Sequence, residues 1–207
     1  LTAVNHAPYL QVTYCPPPTV VTASATPNPL CQGDVVSFTG TGTATETISW
    51  NWTGPGGFTS TLINPTLTTG PSSSGVYTLT VTNTCATGAS STSAFTPYVT
   101  VNPLPSAITG GPVCTGSSVF LSSLPAGGTW TSSAPTVAII GSATGQITGL
   151  TPGTTTISYT DLNGCVITGD VDVNDPPDPI AGLSSVCQGN NLTLTDGIAG
   201  GTWSSNL

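Results

Sequence analysis

One motif opens three stretches of this chain: a cysteine, any residue, a glycine, then an alternating apolar strand. It reads CQGDVVSF from Cys31, CTGSSVFL from Cys114 and CQGNNLTL from Cys187. A second set of cysteines closes alternating strands instead: Cys15 ends YLQVTYC, Cys85 ends YTLTVTNTC and Cys165 ends TISYTDLNGC. Like cysteines recur after 70 residues (Cys15 to Cys85) or 83 residues (Cys31 to Cys114). A period that long corresponds to a whole sandwich-sized module, because solenoid units are shorter. The segment PAGGTWTSS at 125–133 returns as IAGGTWSSN at 198–206, and in both copies the Trp lies 16 residues after the opening cysteine.

This repeat divides the chain into four parts. Residues 1–18 read as the tail strand of a preceding or neighbouring module, 19–102 and 103–174 as complete modules, and 175–207 as the opening part of a third. Composition sets the fold class. The chain has 25 Gly, 19 Pro and abundant Thr, Ser and Val, and no long run with helical period. Gly and Pro punctuate turns, while β-branched residues favour pleated strands. An all-β chain of many short strands follows. Its 37% apolar content, placed in alternating runs, argues against disorder.

In the first module, strands are predicted at Val20–Ala25, Val35–Thr39, Ile48–Trp52, Thr59–Ile63, Val76–Asn83 and Thr92–Val101. In the second they are predicted at Val119–Ser122, Gly128–Thr131, Val137–Ile140, Thr154–Thr160 and Val166–Val173. Trp50, Phe38, Tyr77, Leu79 and Val81 are expected in the first core; Phe120, Trp130, Ile157 and Tyr159 in the second.

The charge inventory excludes whole function classes. There is no Lys or Arg against eight acidic residues. Phosphate-directed nucleic-acid binding lacks its donors, and a basic patch for anionic lipid is absent. Two readings stand for this bias: selection against trypsin-like cleavage outside the cell, and compositional drift. No run of about 18 apolar residues exists to span a membrane. The start at Leu1, without a basic leading region, implies that any signal peptide is removed or lies outside this segment. Six Cys without a CxxC pair, and no Met, suit an oxidising, extracellular setting rather than zinc binding.

Two families are similar in motif. GTWTSSAPTVAII, GQITGL and TPGTTTISYTD, over about 127–161, resemble the bacterial immunoglobulin-like group 2 family. CQGDVVSF, WNWTGPGGFTS, SGVYTLTVTNTC and VTVNPLP resemble the Ig-like and PKD-like modules of giant Bacteroidota surface proteins. The resemblance implies tandem immunoglobulin-like β-sandwiches, surface display and adhesion, without catalysis.

Residue by residue, the chemistry is sparse. His6 is the one His and has no nucleophile in a recognisable setting. The carboxylates between Asp161 and Asp178 crowd a module junction, which is a weak basis for a glycosidase pair. In GDVDVNDPPDP, Val171 and Val173 alternate with Asp170, Asp172 and Asn174, and Asp175 and Asp178 follow. These oxygens are the chain's calcium candidates, set against a plain solvated acidic linker; no other cofactor is expected. Trp50 and Trp52 share one strand face and both suit a core, Trp50 first. Trp52 is retained with Phe58, at a Gly-rich hairpin tip, as a contact candidate.

One disulfide per module would join Cys31 to Cys85 and Cys114 to Cys165. A topological objection stands, because those cysteines belong to opposite poles of a sandwich whose second and sixth strands run parallel. The alternative joins Cys31 to Cys165. Cys15 and Cys187 are left for a bond between chains or beyond this segment. The expected function is a non-enzymatic surface fibre or stalk, its partners copies of itself or further modules joined head to tail. An adhesin module binding glycan or protein is the alternative.

Overall fold

The computed structural model describes residues 14–197 and 200–205. Two units divide the chain, Leu1–Leu104 and Pro105–Leu207.

In the first unit, β1 (Thr19–Thr26) pairs with β3 (Val35–Thr43), and β3 with β6 (Thr66–Thr68). The facing sheet orders β5 (Phe58–Ser60), β4 (Thr47–Gly54), β7 (Thr78–Cys85) and β8 (Gly88–Phe95). A short parallel pair joins β2 (Leu30–Cys31) to β9 (Val101–Asn102). Period-2 alternation decides what faces in. Val36 and Phe38 on β3, and Leu79 and Val81 on β7, are buried. Trp52, Tyr77, Leu30 and Val99 complete this core. A Cβ on Gly40 would lie 2.7 Å from Leu79 Cδ2, and one on Gly42 would lie 3.3 Å from Val81. Glycine at these two β3 positions lets the sheets approach. The same contacts show β3 and β7 advancing in step, in the same direction.

The outward positions are hydroxyls. Cross-strand pairs form at Thr80–Ser93 (3.0 Å), Thr82–Ser91 (2.8 Å), Thr19–Thr43 (2.9 Å) and Thr22–Thr41 (2.6 Å). Neutral pairs of this kind are a usual unit of sheet stabilisation.

The second unit repeats the plan. One sheet orders β10 (Val113–Cys114), β16 (Val166–Asn174), β15 (Gly153–Thr160) and β12 (Thr129–Ser132). The other orders β11 (Ser118–Phe120), β14 (Gln146–Gly149) and β13 (Ala138–Ile140). Between them lie Val113, Leu121, Trp130, Ala138, Ile147, Ile157, Tyr159, Val171 and Val173.

The repeated AGGTW segment now has a physical cause. Tyr159 Oη donates to the Pro125 carbonyl and accepts the Gly128 N–H at 2.9 Å, and its ring packs on Trp130 with centroids 4.5 Å apart. Gly127 sits at φ +96°, and a Cβ on Gly128 would collide with the Thr160 carbonyl and the Tyr159 ring. The two glycines form a socket for that tyrosine. Tyr77 anchors the first unit in a related way, its hydroxyl donating to Ser73 O at 2.7 Å.

Several expectations need correction. Phe120 is 67% exposed, whereas Leu121 is buried and Val119 packs against the core; the strand turns its smaller apolar residues inward. Trp52, not Trp50, is the fully buried tryptophan of β4, and Trp50 is only partly covered. The long strand expected at Thr92–Val101 is two elements, β8 and β9, which belong to different sheets. β2, β6, β9, β10 and β14 span two to four residues each, too short to show a period.

The cysteine pairs also differ from one bond per module. Cys85 bonds Cys15, with Cα atoms 5.8 Å apart, not Cys31. Cys114 is a free thiol and does not bond Cys165; Cys187 is free as well. Cys31 and Cys165 are both disulfide-bonded. The reason is polar separation. Because β3 and β7 run in step, a cysteine before one and a cysteine ending the other sit at opposite poles. In the second unit Cys114 is level with Asn174 at the end of β16, while Cys165 precedes its start. Eight residues of strand, roughly 26 Å, separate those levels.

The Cys15 segment is pinned to the first unit. Pro16 O accepts from Asn83 Nδ2 (2.9 Å) and Ser90 Oγ (2.8 Å), and Pro18 O accepts from Thr92 Oγ1 (2.8 Å). The run of prolines lacks N–H donors, and side chains of β7 and β8 hold two of its carbonyls, Pro16 and Pro18. His6 and the rest of the expected tail strand, residues 1–13, lie outside the described residues.

After Asn174 the described residues form no strand, only a bridge between Ala181 and Thr195. The opening turn nevertheless recurs. The N–H three residues after each opening cysteine donates to its carbonyl: Asp34 to Cys31 (3.1 Å), Ser117 to Cys114 (2.9 Å) and Asn190 to Cys187 (3.0 Å). Gly33, Gly116 and Gly189 supply the positive φ of that turn, at +94°, +78° and +85°.

Candidate functional site

The two aromatic contact candidates do not form a platform. Trp52 has no exposed surface, lies 5.3 Å from the Phe38 ring, and donates its Nε1–H to Ile63 O at 3.2 Å. Register places it opposite Leu79, so it belongs to the core face. Phe58 follows the turn Pro55–Gly57 and folds back onto Phe38 (5.2 Å) and Tyr77 (5.5 Å). Gly56 and Gly57, at φ +66° and +76°, make that reversal. The exposed aromatics lie elsewhere: Tyr14, Phe95, Tyr98, Phe120 and Trp203. No sequence signal marks them, since each sits in a stretch whose alternation admits either face.

The acidic strand behaves as expected in its pattern but not in its convergence. Val171 and Val173 face the core while Asp170, Asp172 and Asn174 face out. Successive outward residues on a strand stand roughly 6.7 Å apart. Calcium takes six to eight oxygens at about 2.3–2.6 Å, so its carboxylates must turn toward one point. Here each turns to a neighbour across the sheet. Asp170 Oδ1 accepts from Thr156 Oγ1 at 2.7 Å, and Asp172 Oδ1 from Thr154 Oγ1 at 2.7 Å. Asp175 Oδ1 accepts from Thr115 at 3.4 Å, and Asp178 closes against Gly197. Among the described residues no three His, Cys, Asp or Glu side chains gather as an ion site. The five calcium candidates are therefore not brought together. A depression of about 260 Å³ beside them is lined by Gly110, Gly111, Asp170, Asp172 and Asn174.

Asp161 has a structural task. It is buried, and its Oδ1 accepts the N–H groups of Asn163 and Cys165, both at 2.9 Å. With Gly164 at φ +83° it shapes the β15–β16 hairpin that carries Cys165.

A cavity of about 360 Å³ is lined by Ile180, Leu194, Gly200, Gly201 and Trp203 among others. It lies at the second AGGTW copy. Gly200 keeps the positive φ of its counterpart, at +99°, but nothing lies within 4 Å of a Cβ on Gly201. Trp203 is 57% exposed, whereas Trp130 is 6% exposed against Tyr159.

The two ends of each sandwich also have a fixed arrangement. In the first unit the chain arrives beside the β7–β8 hairpin, through Pro16, and leaves at Asn102 beside Cys31. In the second, Ile108 lies 3.4 Å from a Cβ on Gly169, Gly111 would bring one within 3.4 Å of Val171, and Val113 pairs with Val173. The chain thus arrives beside the β15–β16 hairpin and leaves at Asn174 beside Cys114.

Residues 125–165 match the model of the bacterial Ig-like domain (group 2). No curated protein sequence matches the chain. Among solved structures, the C-terminal fragment of intimin, in complex with the intimin-binding domain of its translocated receptor, is 19% identical with a TM-score of 0.42, over 81% of this chain and 65% of the fragment. The insect immune protein hemolin is 18% identical with a TM-score of 0.39, over 73% of this chain and 46% of hemolin. A SusE-like surface-located polysaccharide-binding protein from the Bacteroides thetaiotaomicron heparin utilisation locus is 14% identical with a TM-score of 0.37, over 79% and 35%. The chain spans less than two thirds of each of these three. By its own sheets and core, it is an all-β protein of immunoglobulin-like sandwiches, with a bacterial Ig-like group 2 match inside the second unit.

Proposed function

We propose that this chain is a non-enzymatic extracellular spacer, a stretch of a surface fibre or stalk built from sandwich modules in series. The observation that carries this reading is the placement of incoming and outgoing ends at opposite poles of each sandwich. A module of that kind transmits its chain from one end to the other and can be repeated without limit. Residues 175–207 then read as the opening of a third module, on the strength of the Cys187 turn and the second AGGTW copy. The Cys15–Cys85 disulfide favours an oxidising, extracellular location. The natural partners are further modules of the same class.

The test is electron microscopy of the purified chain beside a variant carrying one added copy of residues 105–174, with glycan-array binding on the same samples. A constant added length without saturable glycan binding supports the spacer. Saturable glycan binding with no added length overturns it in favour of an adhesive module.

A further inference from the structure

We infer that Cys114 is the outgoing half of an inter-module disulfide, and that its partner is the hairpin cysteine of a following sandwich module of this class. The inference rests on the tandem reading above and goes further, since it specifies which surface receives the next module and by what bond.

Two classes of cysteine occupy two fixed places. The opening-turn cysteine lies at the outgoing pole: Cys31 pairs with Asn102 and Cys114 with Asn174, each in a two-residue parallel bridge to the unit's last strand. The hairpin cysteine lies at the incoming pole: Cys85 ends β7 at the β7–β8 turn, and Cys165 lies in the β15–β16 turn. Wherever modules follow one another, the outgoing pole of one precedes the incoming pole of the next. An opening-turn cysteine is thereby offered to the hairpin cysteine one module on.

Oxidation states within the chain support the pattern. Cys31 stands in the same register as Cys114 and is disulfide-bonded. Both hairpin cysteines are bonded too, Cys85 to Cys15 and Cys165 as part of a further disulfide. The free thiols are Cys114 and Cys187, both opening-turn cysteines. No hairpin thiol therefore remains in this chain for Cys114, and its own unit cannot supply one because Cys165 lies at the other pole.

The bond forms by exchange with a small-molecule disulfide such as glutathione disulfide. The Cys114 thiolate attacks one sulfur and releases one glutathione; the hairpin thiolate then attacks the mixed disulfide and releases the second. Two protein thiols are oxidised, one glutathione disulfide is reduced, and the two thiol protons pass to the departing glutathiones.

The experiment inserts a second copy of residues 105–174 after Asn174 of the full chain, so that a Cys165 equivalent follows Cys114 at module spacing. The protein is folded in a glutathione redox buffer, its thiols are counted, and its disulfide peptides are mapped with a protease that does not require Lys or Arg. The expected result is two free thiols, as in the present chain, with Cys114 bonded to the inserted hairpin cysteine in an unreduced monomer. Cys114→Ser in that protein should leave the inserted hairpin thiol free. Four free thiols in a chain whose added unit folds, or Cys114 bonded to any other cysteine, overturn the inference and leave the tandem reading standing. An added unit that does not fold removes both.

Discussion

The two units reach one architecture with different anchors. The first fills its core with four neighbouring rings, Phe38, Trp52, Phe58 and Tyr77, and ties its incoming segment down through Cys15–Cys85. Among its described residues the second has a single aromatic pair, Trp130 and Tyr159, and no disulfide between two of its own strands. In place of both it has a glycine socket that grips one tyrosine hydroxyl from two sides. Small sandwiches leave much of their surface uncovered and need some local reinforcement. The comparison teaches that this reinforcement is interchangeable: aromatic mass with a covalent tie in one unit, backbone complementarity in the other.

The sharpest way to break the comparison is Trp52→Ala. Truncating a fully buried tryptophan should remove about 3–5 kcal/mol from the first unit. In urea unfolding followed by residue-specific NMR signals, only that unit's midpoint should fall. An equal shift in the second unit would show that the two do not unfold separately.

Next in size is the covalent tie. Replacing Cys15 and Cys85 together by Ser should cost the first unit about 2–4 kcal/mol, because the bond closes a long loop. Thermal unfolding that leaves the first unit unchanged would mean that the proline carbonyl bonds alone secure the incoming segment.

The socket comes third. Gly128→Ala forces a methyl into the Thr160 carbonyl and the Tyr159 ring and should cost the second unit about 2 kcal/mol. Gly201→Ala, at the second AGGTW copy, meets nothing within 4 Å and should be close to neutral. Equal effects at the two positions would refute the socket as the cause of the repeated motif.

The smallest effect is a pH dependence of the first unit through Tyr77. Burial raises Tyr77 above its ordinary value of 10.0, and the nearby Ser73 side-chain hydroxyl, distinct from the carbonyl that accepts the phenol proton, opposes that only partly. Its folded state holds the proton more tightly than the unfolded chain does. The resulting stability is complete below pH 10.0 and is lost as pH rises through the folded value. Tyr77→Phe should cost about 1 kcal/mol at neutral pH and flatten the first unit's alkaline loss. An unaltered alkaline slope would place the titration elsewhere.

Much of this was legible in the sequence where period and punctuation agree. β1, β3, β4, β7, β15 and β16 are long enough for alternation to declare them, and each lies close to its predicted place. Phe120 was misassigned because alternation gives a phase, and residue size is a poor guide to which phase faces the core; Trp50 and Trp52 share one phase, and alternation alone does not say which of them sits deeper along the strand. Phe58 was read from its Gly-rich turn as a tip, but the two positive-φ glycines bend the chain back over the core. The acidic strand shows the same limit. Its outward pattern was plain, yet the cross-strand threonines that take the carboxylates depend on a register that only pairing fixes. The one-bond-per-module pairing met its objection in the sequence, where its cysteines already belonged to opposite poles; that Cys15 reaches Cys85 had no such signal.

The hydroxyl pairs that tile the outer faces carry one last consequence. A chain with no Lys or Arg cannot fasten its surface with basic side chains, and Thr–Thr and Thr–Ser bonds stand there instead. Mobile ions largely screen interactions between exposed charges more than about 8–10 Å apart in ordinary saline, and concentrated salt shortens that reach further, but a bond between two neutral hydroxyls offers them little to act on. The fastening of these sheets is therefore indifferent to brine, and dilute buffer and concentrated salt find the same surface in place.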